Sequence, residues 1–389
     1  MTVLDVGPRS VWGEAANETA NDAEALIEEA RERARRRRLR GVMIAALVAA
    51  GAAVGYAAAG ADAPVNSRPA AGGGPAAGYL NPTVTARIRV GPVLDLAASD
   101  GAVWVAEPGA VVRVDARSGR VVARMRTPAV GDDGHIAVGV GGVWVTTGLE
   151  GGGTVYRIDP STDRVVATIR VGGVAIGVTV GAGRVWVTRP SQGPGDVVRI
   201  DPTSDRVAEP AIQVGSGPGE VAYGGGAVWV QNSSPTSVMR IDPATGQVST
   251  VVGMDATVQG SFVVGSVAFG DRSLWAVRND VLARVDPSTG EVIATIAIPR
   301  AALVGVAPRA VWVLAAPRSS SATVFYAIRR TAALWEVDPA TNRIVGKPVQ
   351  LNGPIALTAD GTSLWVADSN YGAETTTLLR LASANASRG

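Results

Sequence analysis

The stretch "VYRIDPSTDRVVATIRVG", residues 155–172, decides the fold because the chain repeats it. Variants read "VRVDARSGRVVARM" at 112–125, "RIDPATGQVST" at 240–250 and "RVDPSTGEVIATI" at 284–296. In each copy, a run of alternating apolar residues ends at Asp, a short turn follows, and a second β-branched run begins. The stretch therefore predicts two strands joined by a tight hairpin, written several times along one chain.

The turn has a chemical signature of its own. Asp accepts hydrogen bonds from backbone N–H groups two residues on, and Pro presets φ for the next position. The fourth residue after the Asp is always of a type that tolerates positive φ: Gly119, Asp163, Asp205, Gly246, Gly290 or Asn342. A ring of metal ligands is the alternative for the repeated carboxylates (Asp115, Asp159, Asp201, Asp242, Asp286 and Asp338), but they fall in successive units, far apart. We interpret them as turn residues.

Seven tryptophans mark the full repeat. They lie in Val-Trp-Val-like strands spaced mostly by about forty residues, as in four-stranded propeller blades. These are Trp104, Trp144, Trp186, Trp229, Trp275, Trp312 and Trp365. Aromatic and β-branched residues fill the space between blades, so we assign the tryptophans to the core. The sequence predicts an all-β, seven-bladed β-propeller over residues 83–383, with four-stranded blades.

The ends of the repeat predict how the ring closes. The last unit has only three strands, whereas the segment "TVTARIRVG" at 83–91 has no unit before it. We expect residues 84–90 to pair with 377–382 as the outer strand of blade seven, which removes an open sheet edge.

The first 82 residues differ in composition from the repeats. Residues 41–60 carry no charge and, as a helix, would span about 30 Å, while 31–40 hold seven arginines and one glutamate. Arginine clusters stay on the cytoplasmic side. We predict a cytoplasmic tail with a basic helix at 1–40, an uncleaved transmembrane anchor at 41–60, a flexible Ala/Gly/Pro-rich linker at 61–82 and a short tail at 384–389. A cleaved signal peptide is the alternative for 41–60.

The repeat unit "GGVWVTTGLEGGGTVYRIDPSTDRVVATIRVG" resembles the YVTN/YncE-like β-propeller repeat over roughly residues 83–382. NHL-like propellers and virginiamycin B lyase are related groups. The resemblance implies an extracytoplasmic propeller. It carries over no active residue, since the shared motif consists of turn and core residues.

The amino-acid composition limits the kinds of functional site that the chain can form. The chain has no cysteine and one histidine, His135, which excludes disulfides and multi-histidine metal sites. Its 36 basic and 34 acidic residues give no reason to expect nucleic acid as a partner. Asp95 and Glu220 are the only carboxylates near the starts of the predicted inner strands, too few for a lactonase-type cation site. We assign no catalytic residue, metal or cofactor, and interpret His135 as an exposed loop residue; catalysis by it is the alternative.

Two long loops are the candidate binding surface, since long loops on a rigid scaffold concentrate binding residues. They are "APRSSSATVFYAIRRTA" at 316–332 and "ADSNYGAETT" at 367–376. One predicted wall of the channel mouth consists of Arg318, Phe325, Tyr326, Arg329, Arg330, Asp368, Asn370 and Tyr371. The opposite wall consists of Arg189, Gln231, Asn232 and Arg278. The loop arginines favour an anionic ligand or partner.

These observations predict a single-pass membrane protein that displays a non-catalytic recognition propeller outside the cytoplasm. Two alternatives stay open. One is a lyase-like or lactonase-like enzyme with its site at the channel mouth, which a ring of acidic or amide side chains around Asp95 and Glu220 would favour. The other is a sensor that signals through residues 1–40.

Overall fold

The computed structural model describes residues 82–383, except 100, 129, 132–133, 149–151, 192, 235, 252–265, 279, 317–331, 362 and 370–374. Within this part of the chain, no helix is long and apolar enough to cross a membrane. The predicted tail at 1–40, anchor at 41–60 and C-terminal tail at 384–389 lie outside the described residues, as does all but the last residue of the linker.

The described residues form twenty-seven strands in antiparallel sheets. The first strand is β1 (Thr83–Val90). Blade one comprises β2 (Asp95–Ser99), β3 (Ala102–Glu107), β4 (Ala110–Asp115) and β5 (Arg120–Arg126). Blade two comprises β6 (Ile136–Gly139), β7 (Gly142–Thr146), β8 (Thr154–Asp159) and β9 (Arg164–Arg170). Next come β10 (Val178–Gly181), β11 (Arg184–Arg189), β12 (Pro194–Asp201), β13 (Arg206–Gly224), β14 (Ala227–Ser234), β15 (Thr236–Ile241) and β16 (Val248–Thr250).

The remaining strands complete the array. Blade five comprises β17 (Val267–Gly270), β18 (Ser273–Arg278), β19 (Val281–Val285) and β20 (Val292–Ala297). Blade six comprises β21 (Ala301–Ala307), β22 (Ala310–Ala315), β23 (Ala332–Asp338) and β24 (Arg343–Leu351). Blade seven contains β25 (Pro354–Asp360), β26 (Ser363–Asp368) and β27 (Thr376–Ala382), together with β1.

The described strands form five four-stranded sheets and one seven-stranded sheet. The larger sheet arises because β13 is 19 residues long and belongs to two units. Its first part pairs with β12, and its last part, through Val221–Gly224, pairs with β14. We therefore call β10 to β12 with the first part of β13 blade three, and the last part of β13 with β14 to β16 blade four.

The innermost strands of the blades form a closed ring. In order around the ring they are β2, β6, β10, the last part of β13, β17, β21 and β25, and β25 contacts β2 again. This arrangement is a propeller-like, all-β fold. The predicted closure is confirmed, because β1 pairs with β27 from Thr83 opposite Ala382 to Val90 opposite Thr376. The two ends of the array thus share one sheet.

The hydrophobic core lies between adjacent blades. All seven repeat tryptophans are almost completely buried, as predicted. Each packs on its neighbour: Trp365 of blade seven lies in one cluster with Val103 and Val105 of blade one, and Trp104 lies with Val143 of blade two. Close packing of large side chains between sheets is what holds separate four-stranded units in a ring.

The hairpin turns also match the prediction. All six expected positions have positive φ, for example 55° at Asp163, 72° at Gly246 and 57° at Asn342. The Asp159 carboxylate accepts the backbone N–H of Ser161 at 2.8 Å, two residues on. Bonds of this kind lower the pKa of Asp159, with the Ser161 hydroxyl as the largest cause.

An arginine before each of several turns connects two neighbouring blades, which the sequence pattern did not reveal. Arg157 lies over the ring of Trp144, 5.2 Å from its centroid. Its Nη1 then donates to the Pro202 carbonyl at 2.7 Å and to the Asp205 carboxylate at 2.9 Å, both in the turn of the next blade. The repeated Arg-x-Asp-Pro motif therefore serves two blades: its Asp and Pro close one hairpin, and its Arg binds the next one.

Candidate functional site

Equivalent positions of the seven blades meet at one end of the ring of inner strands. In blade one, Asp95 begins the inner strand and pairs with Ala106, two residues after Trp104. Because every blade repeats the same strand order, the corresponding residues lie at the same end. We call them the entrance ring; they are Asp95, His135, Gly177, Glu220, Ser266, Leu303 and Ala356. Polar side chains thus occupy blades one, two, four and five.

Asp95 and His135 form a fixed pair between blades one and two. The Asp95 Oδ1 atom accepts the N–H of Leu96 at 2.8 Å, and Oδ2 accepts the N–H of Ile136 at 3.0 Å. The same Oδ2 lies 3.2 Å from His135 Nδ1. These backbone donors hold the carboxylate in one orientation. The carboxylate in turn orients the imidazole, as a carboxylate paired with a histidine does in acid–base sites.

The expectation that His135 is an exposed loop residue is wrong. Only 7% of the residue is accessible, because it directly precedes β6 and so belongs to the innermost layer. Its backbone N–H donates to Thr146 Oγ1 at 2.9 Å, and that hydroxyl donates to the Ile176 carbonyl of blade three at 2.6 Å. The backbone of His135 is therefore linked through Thr146 to blade three.

Glu220 faces this pair from blade four. Its Oε1 lies 3.9 Å from His135 Nδ1, beyond hydrogen-bond distance, and this is its only polar side-chain contact within the described part of the chain. A quarter of the Glu220 side chain is accessible, so the side chain is largely but not completely covered by protein. Desolvation by burial raises the pKa of Glu220, the Asp95 charge raises it further, and His135 opposes both.

Gly177 allows blades two and four to approach across blade three. It occupies the entrance-ring position of blade three and carries no side chain. A Cβ there would lie 2.2 Å from the Gly219 carbonyl oxygen and 3.0 Å from Thr188 Oγ1. Thr188 Oγ1 also donates to the Gly219 carbonyl at 2.8 Å, which holds the residue before Glu220 against blade three. Any side chain at 177 would clash with the backbone of the residue that precedes Glu220.

The three side chains support two kinds of chemistry. Two carboxylates around one imidazole attract cations and hydrogen-bond donors. An oriented imidazole near a carboxyl group of raised pKa can also take part in proton transfer. Within the described residues, no group of three or more His, Cys, Asp or Glu side chains has the geometry to hold a metal ion.

The predicted wall residues on the second strands lie close to the entrance ring. Arg189, Asn232, Arg278 and Asp368 each follow their blade tryptophan by three residues, one residue beyond the position that faces the ring. Arg189 places Nε and Nη2 on the Asp196 carboxylate, at 2.7 and 2.8 Å. Asp368 Oδ1 accepts the N–H groups of Asn352 and Gly353, at 3.1 and 2.8 Å.

The predicted wall residues differ in how far the structure describes them. Gln231 and Asn232 are buried on β14, 3% and 0% accessible, and the side chain of Arg278 is not described. The loop residues Arg318, Phe325, Tyr326, Arg329, Arg330, Asn370 and Tyr371 lie outside the described residues, so their place in a binding wall stays a prediction.

Asp95, His135 and Glu220 stand out in the sequence, but their order along the chain does not show that they converge. They come from blades one, two and four and are separated by up to 125 positions in the chain. One signal could have found them: aligning the seven repeats on their tryptophans places Asp95, His135 and Glu220 in the same column.

Comparison with known proteins supports the fold alone. No family model matches the chain, and no curated protein does. Among solved structures, the chain is similar to the extracellular domain of a putative one-component system from B. thetaiotaomicron, with a TM-score of 0.52 and 13% identity. The match covers 74% of this chain and 40% of that one. Since 1332 solved chains match, the fold is widespread, and a shared fold does not assign an activity.

Proposed function

We propose that the chain is a membrane-anchored, extracytoplasmic, seven-bladed propeller that binds a ligand at its entrance ring without transforming it. The observation that carries the proposal is the Glu220 carboxylate, which is largely covered, lacks a hydrogen bond within the described part of the chain, and faces the Asp95–His135 pair.

A largely covered carboxylate without a hydrogen-bond donor is costly for a folded protein. Ionised groups lose hydration when they are surrounded, and native structures therefore pair nearly all of them. Here the raised pKa of Glu220 shows that its surroundings disfavour the charged form, mainly through desolvation. Groups with perturbed pKa values concentrate at functional sites, and we infer that a ligand supplies the missing partner of Glu220.

The proposed location rests on the first sixty residues and on the structural neighbour. The arginine run at 31–40 before the uncharged stretch at 41–60 favours a cytoplasmic N terminus. The similar solved structure is itself an extracellular domain of a putative one-component system. That description is also compatible with a sensor whose signal passes to residues 1–40.

An acid–base enzyme is a second candidate. The Asp95–His135 pair at 3.2 Å is the observation that favours it, because Asp95 fixes the imidazole and Glu220 of raised pKa offers a proton nearby. A compound that binds at the ring and is recovered chemically changed would favour the enzyme over the recognition module.

A thermal-shift screen of the full-length protein tests the proposal. A ligand of the native state raises the melting temperature through mass action. We expect at least one hit among small amines, carboxylates, sugars and peptides whose affinity falls by about tenfold or more, about 1.4 kcal/mol, in Glu220→Gln. Glu291→Gln, an exposed carboxylate of blade five, is the matched control. Hits that shift wild type and Glu220→Gln equally would place the binding site elsewhere.

A further inference from the structure

The outer strands of blades seven, one and two carry an excess of positive charge. These strands are β1, β5 and β9, which contain two, three and two arginines and no acidic residue. All of these arginines are exposed. In the described part of the chain, Arg124 is the only one of them whose side chain makes an ion pair or a hydrogen bond.

The repeats show that the fold does not require this charge. The last exposed residue of each of the three strands is an arginine, which follows a buried apolar residue: Arg89, Arg126 and Arg170. In blades three, five and six, the equivalent exposed position holds an uncharged residue: Gln213, Ala297 and Gln350. Because neutral residues satisfy the same place in the fold, the three arginines call for an explanation outside it.

The three arginines lie on consecutive blades and at the same height. Each pairs opposite the start of its blade's third strand, as Arg126 does with Ala110. Blade seven packs on blade one, since Ile88 of β1 lies in one cluster with Val112, and β5 contacts β9 of blade two. We call Arg89, Arg126 and Arg170 the basic rim.

A groove with a volume of about 330 Å³ lies between β1 and blade one, and Arg89 and Arg124 line it. Its wall also contains Glu107, which is buried. One Glu107 oxygen accepts the N–H of Gly91 at 3.0 Å, and the other lies 2.5 Å from Arg124 Nη2. Arg124 therefore balances the charge of Glu107, and Arg89 offers a free guanidinium to an anionic group in the groove.

We propose that the basic rim docks on the surface of a bilayer that contains anionic phospholipid. The inference goes beyond the proposed ligand site, and its choice of a membrane rests on the predicted anchor at 41–60. The predicted linker at 61–82 leads directly into β1. A flexible chain of about twenty residues has a root-mean-square length of about 25 Å. The arginines would thus stay near the headgroups, whose negative charge attracts exposed basic residues.

Quenching of a fluorophore by nitroxide-labelled lipid headgroups tests the inference in the full-length protein. Because the chain has no cysteine, Thr168→Cys on β9 and Thr295→Cys on β20 provide single labelling sites. Both threonines are exposed and occupy the same place in an Ala-Thr-Ile motif, but blade five has no basic-rim arginine. The protein is reconstituted in vesicles of phosphatidylcholine, with or without an equal amount of phosphatidylglycerol.

We expect quenching at position 168 to be about threefold stronger, or more, in the vesicles with phosphatidylglycerol, because their surface attracts the basic rim. Quenching at position 295 should be weak in both mixtures. Raising the ionic strength to about 1 M should remove the difference at 168, since the Debye length then falls to about 3 Å.

Two triple variants test whether the basic rim is responsible. The rim variant should lose the effect of phosphatidylglycerol, and it should fold because glutamine already occupies this position in blades three and six: Arg89→Gln, Arg126→Gln and Arg170→Gln. The control removes the same number of exposed charges outside the three strands and should behave as wild type: Arg206→Gln, Arg272→Gln and Arg309→Gln. Melting temperature checks folding, and Arg126→Gln with Arg170→Gln replaces the rim variant if that variant does not fold.

The outcomes separate this inference from the proposed function. Equal quenching at 168 in the two lipid mixtures, equal gains at 168 and 295, or a gain that persists in the rim variant would overturn the inference. Arginine-dependent binding of dextran sulfate without lipid quenching would also overturn it and would assign the basic rim to a soluble polyanion. Retention of the protein in vesicles after an alkaline wash tests the anchor separately, and Glu220→Gln tests the entrance ring.

Discussion

Single arginines connect neighbouring blades through the same motif that closes the hairpins. Arg113, Arg157 and Arg284 each lie over their own blade's tryptophan and donate to the turn of the next blade. In each case the acceptors are a proline carbonyl and the side chain at the positive-φ position. This explains why Asp or Asn, rather than Gly, occupies that position in those turns.

Blade six departs from this pattern at one residue. Glu336 replaces the arginine opposite Trp312, and its Oε1 accepts from the Ser383 hydroxyl at 2.5 Å. The Trp312 Nε1 atom is one of the buried donors that lack a partner in the described part of the chain. Blade seven takes β27 and β1 from the two ends of the array and so has no hairpin turn that an arginine at this position could bind.

We predict that Arg157→Ala lowers the free energy of unfolding by about 1–3 kcal/mol, because it removes a charged donor from a proline carbonyl and a carboxylate. Arg157→Lys should restore only part of this loss, since an ammonium cannot stack flat on Trp144. Chemical denaturation measures the difference. Arg164→Ala, at an exposed position of the same hairpin, is the control and should be near neutral. An equal effect of the two alanine variants would contradict the connecting role.

We also predict that Glu220→Gln is more stable than wild type near pH 8 and equally stable near pH 4, the ordinary range of a glutamate. The pKa of Glu220 is raised in the folded protein, so the folded state disfavours the ionised form. That cost is absent below the unfolded pKa and is complete once pH has risen through the folded pKa. Thermal melts at both pH values measure it. A variant that is less stable at both would show that the carboxylate supports the fold.

At the scale of strands, local patterns were enough to predict most of the architecture. The turn residues and the Val-Trp-Val strands follow from interactions between residues that are close in the sequence. The last unit lacks a fourth strand, which predicts that β1 completes it. Contacts between blades were harder to predict, because Arg157 meets Asp205 and Asp95 meets His135 only after the blades pack. Repeat alignment supplies the column of the entrance ring, but not which side chains reach one another.

Strand β1 offers a test with an internal control. Its two faces alternate, with Ile88 and Val90 buried against blade one and Arg87 and Arg89 exposed. We predict that Ile88→Asp with Val90→Asp causes unfolding or aggregation, because it places charges in the core and opens a sheet edge. Arg87→Ala with Arg89→Ala should retain the wild-type melting temperature within a few degrees. Similar melting temperatures for both double variants would show that the closure contributes little.

For the whole molecule, one ring of seven inner strands brings residues far apart in sequence to a single entrance. Because β1 and β27 lie in one sheet, the same closure that completes blade seven also packs it against blade one. The position of Asp95 and His135 relative to Glu220 therefore depends on the closed ring.

We predict that a periplasmic-type reporter fused after Gly389 is active and that a cytoplasmic reporter at the same position is inactive. The expectation rests on the uncharged stretch at 41–60 and the arginines before it. Replacing the seven arginines of 31–40 with glutamine, as a control, should weaken the orientation. Activity of the cytoplasmic fusion would contradict the anchor and the extracytoplasmic location.

The central claim is that three blades enclose, at the entrance, a carboxylate whose partner is a ligand. The most direct measurement is an NMR titration of the Glu220 carboxyl carbon in the ligand-free, glutamate-labelled protein, with Glu220→Gln to assign the signal. Burial and the Asp95 charge should raise the pKa of Glu220 above the ordinary glutamate value of about 4.3, and Asp95→Asn should lower it again. A Glu220 carboxyl that titrates at or below the ordinary value would show that it is hydrated or already paired, and would contradict the claim.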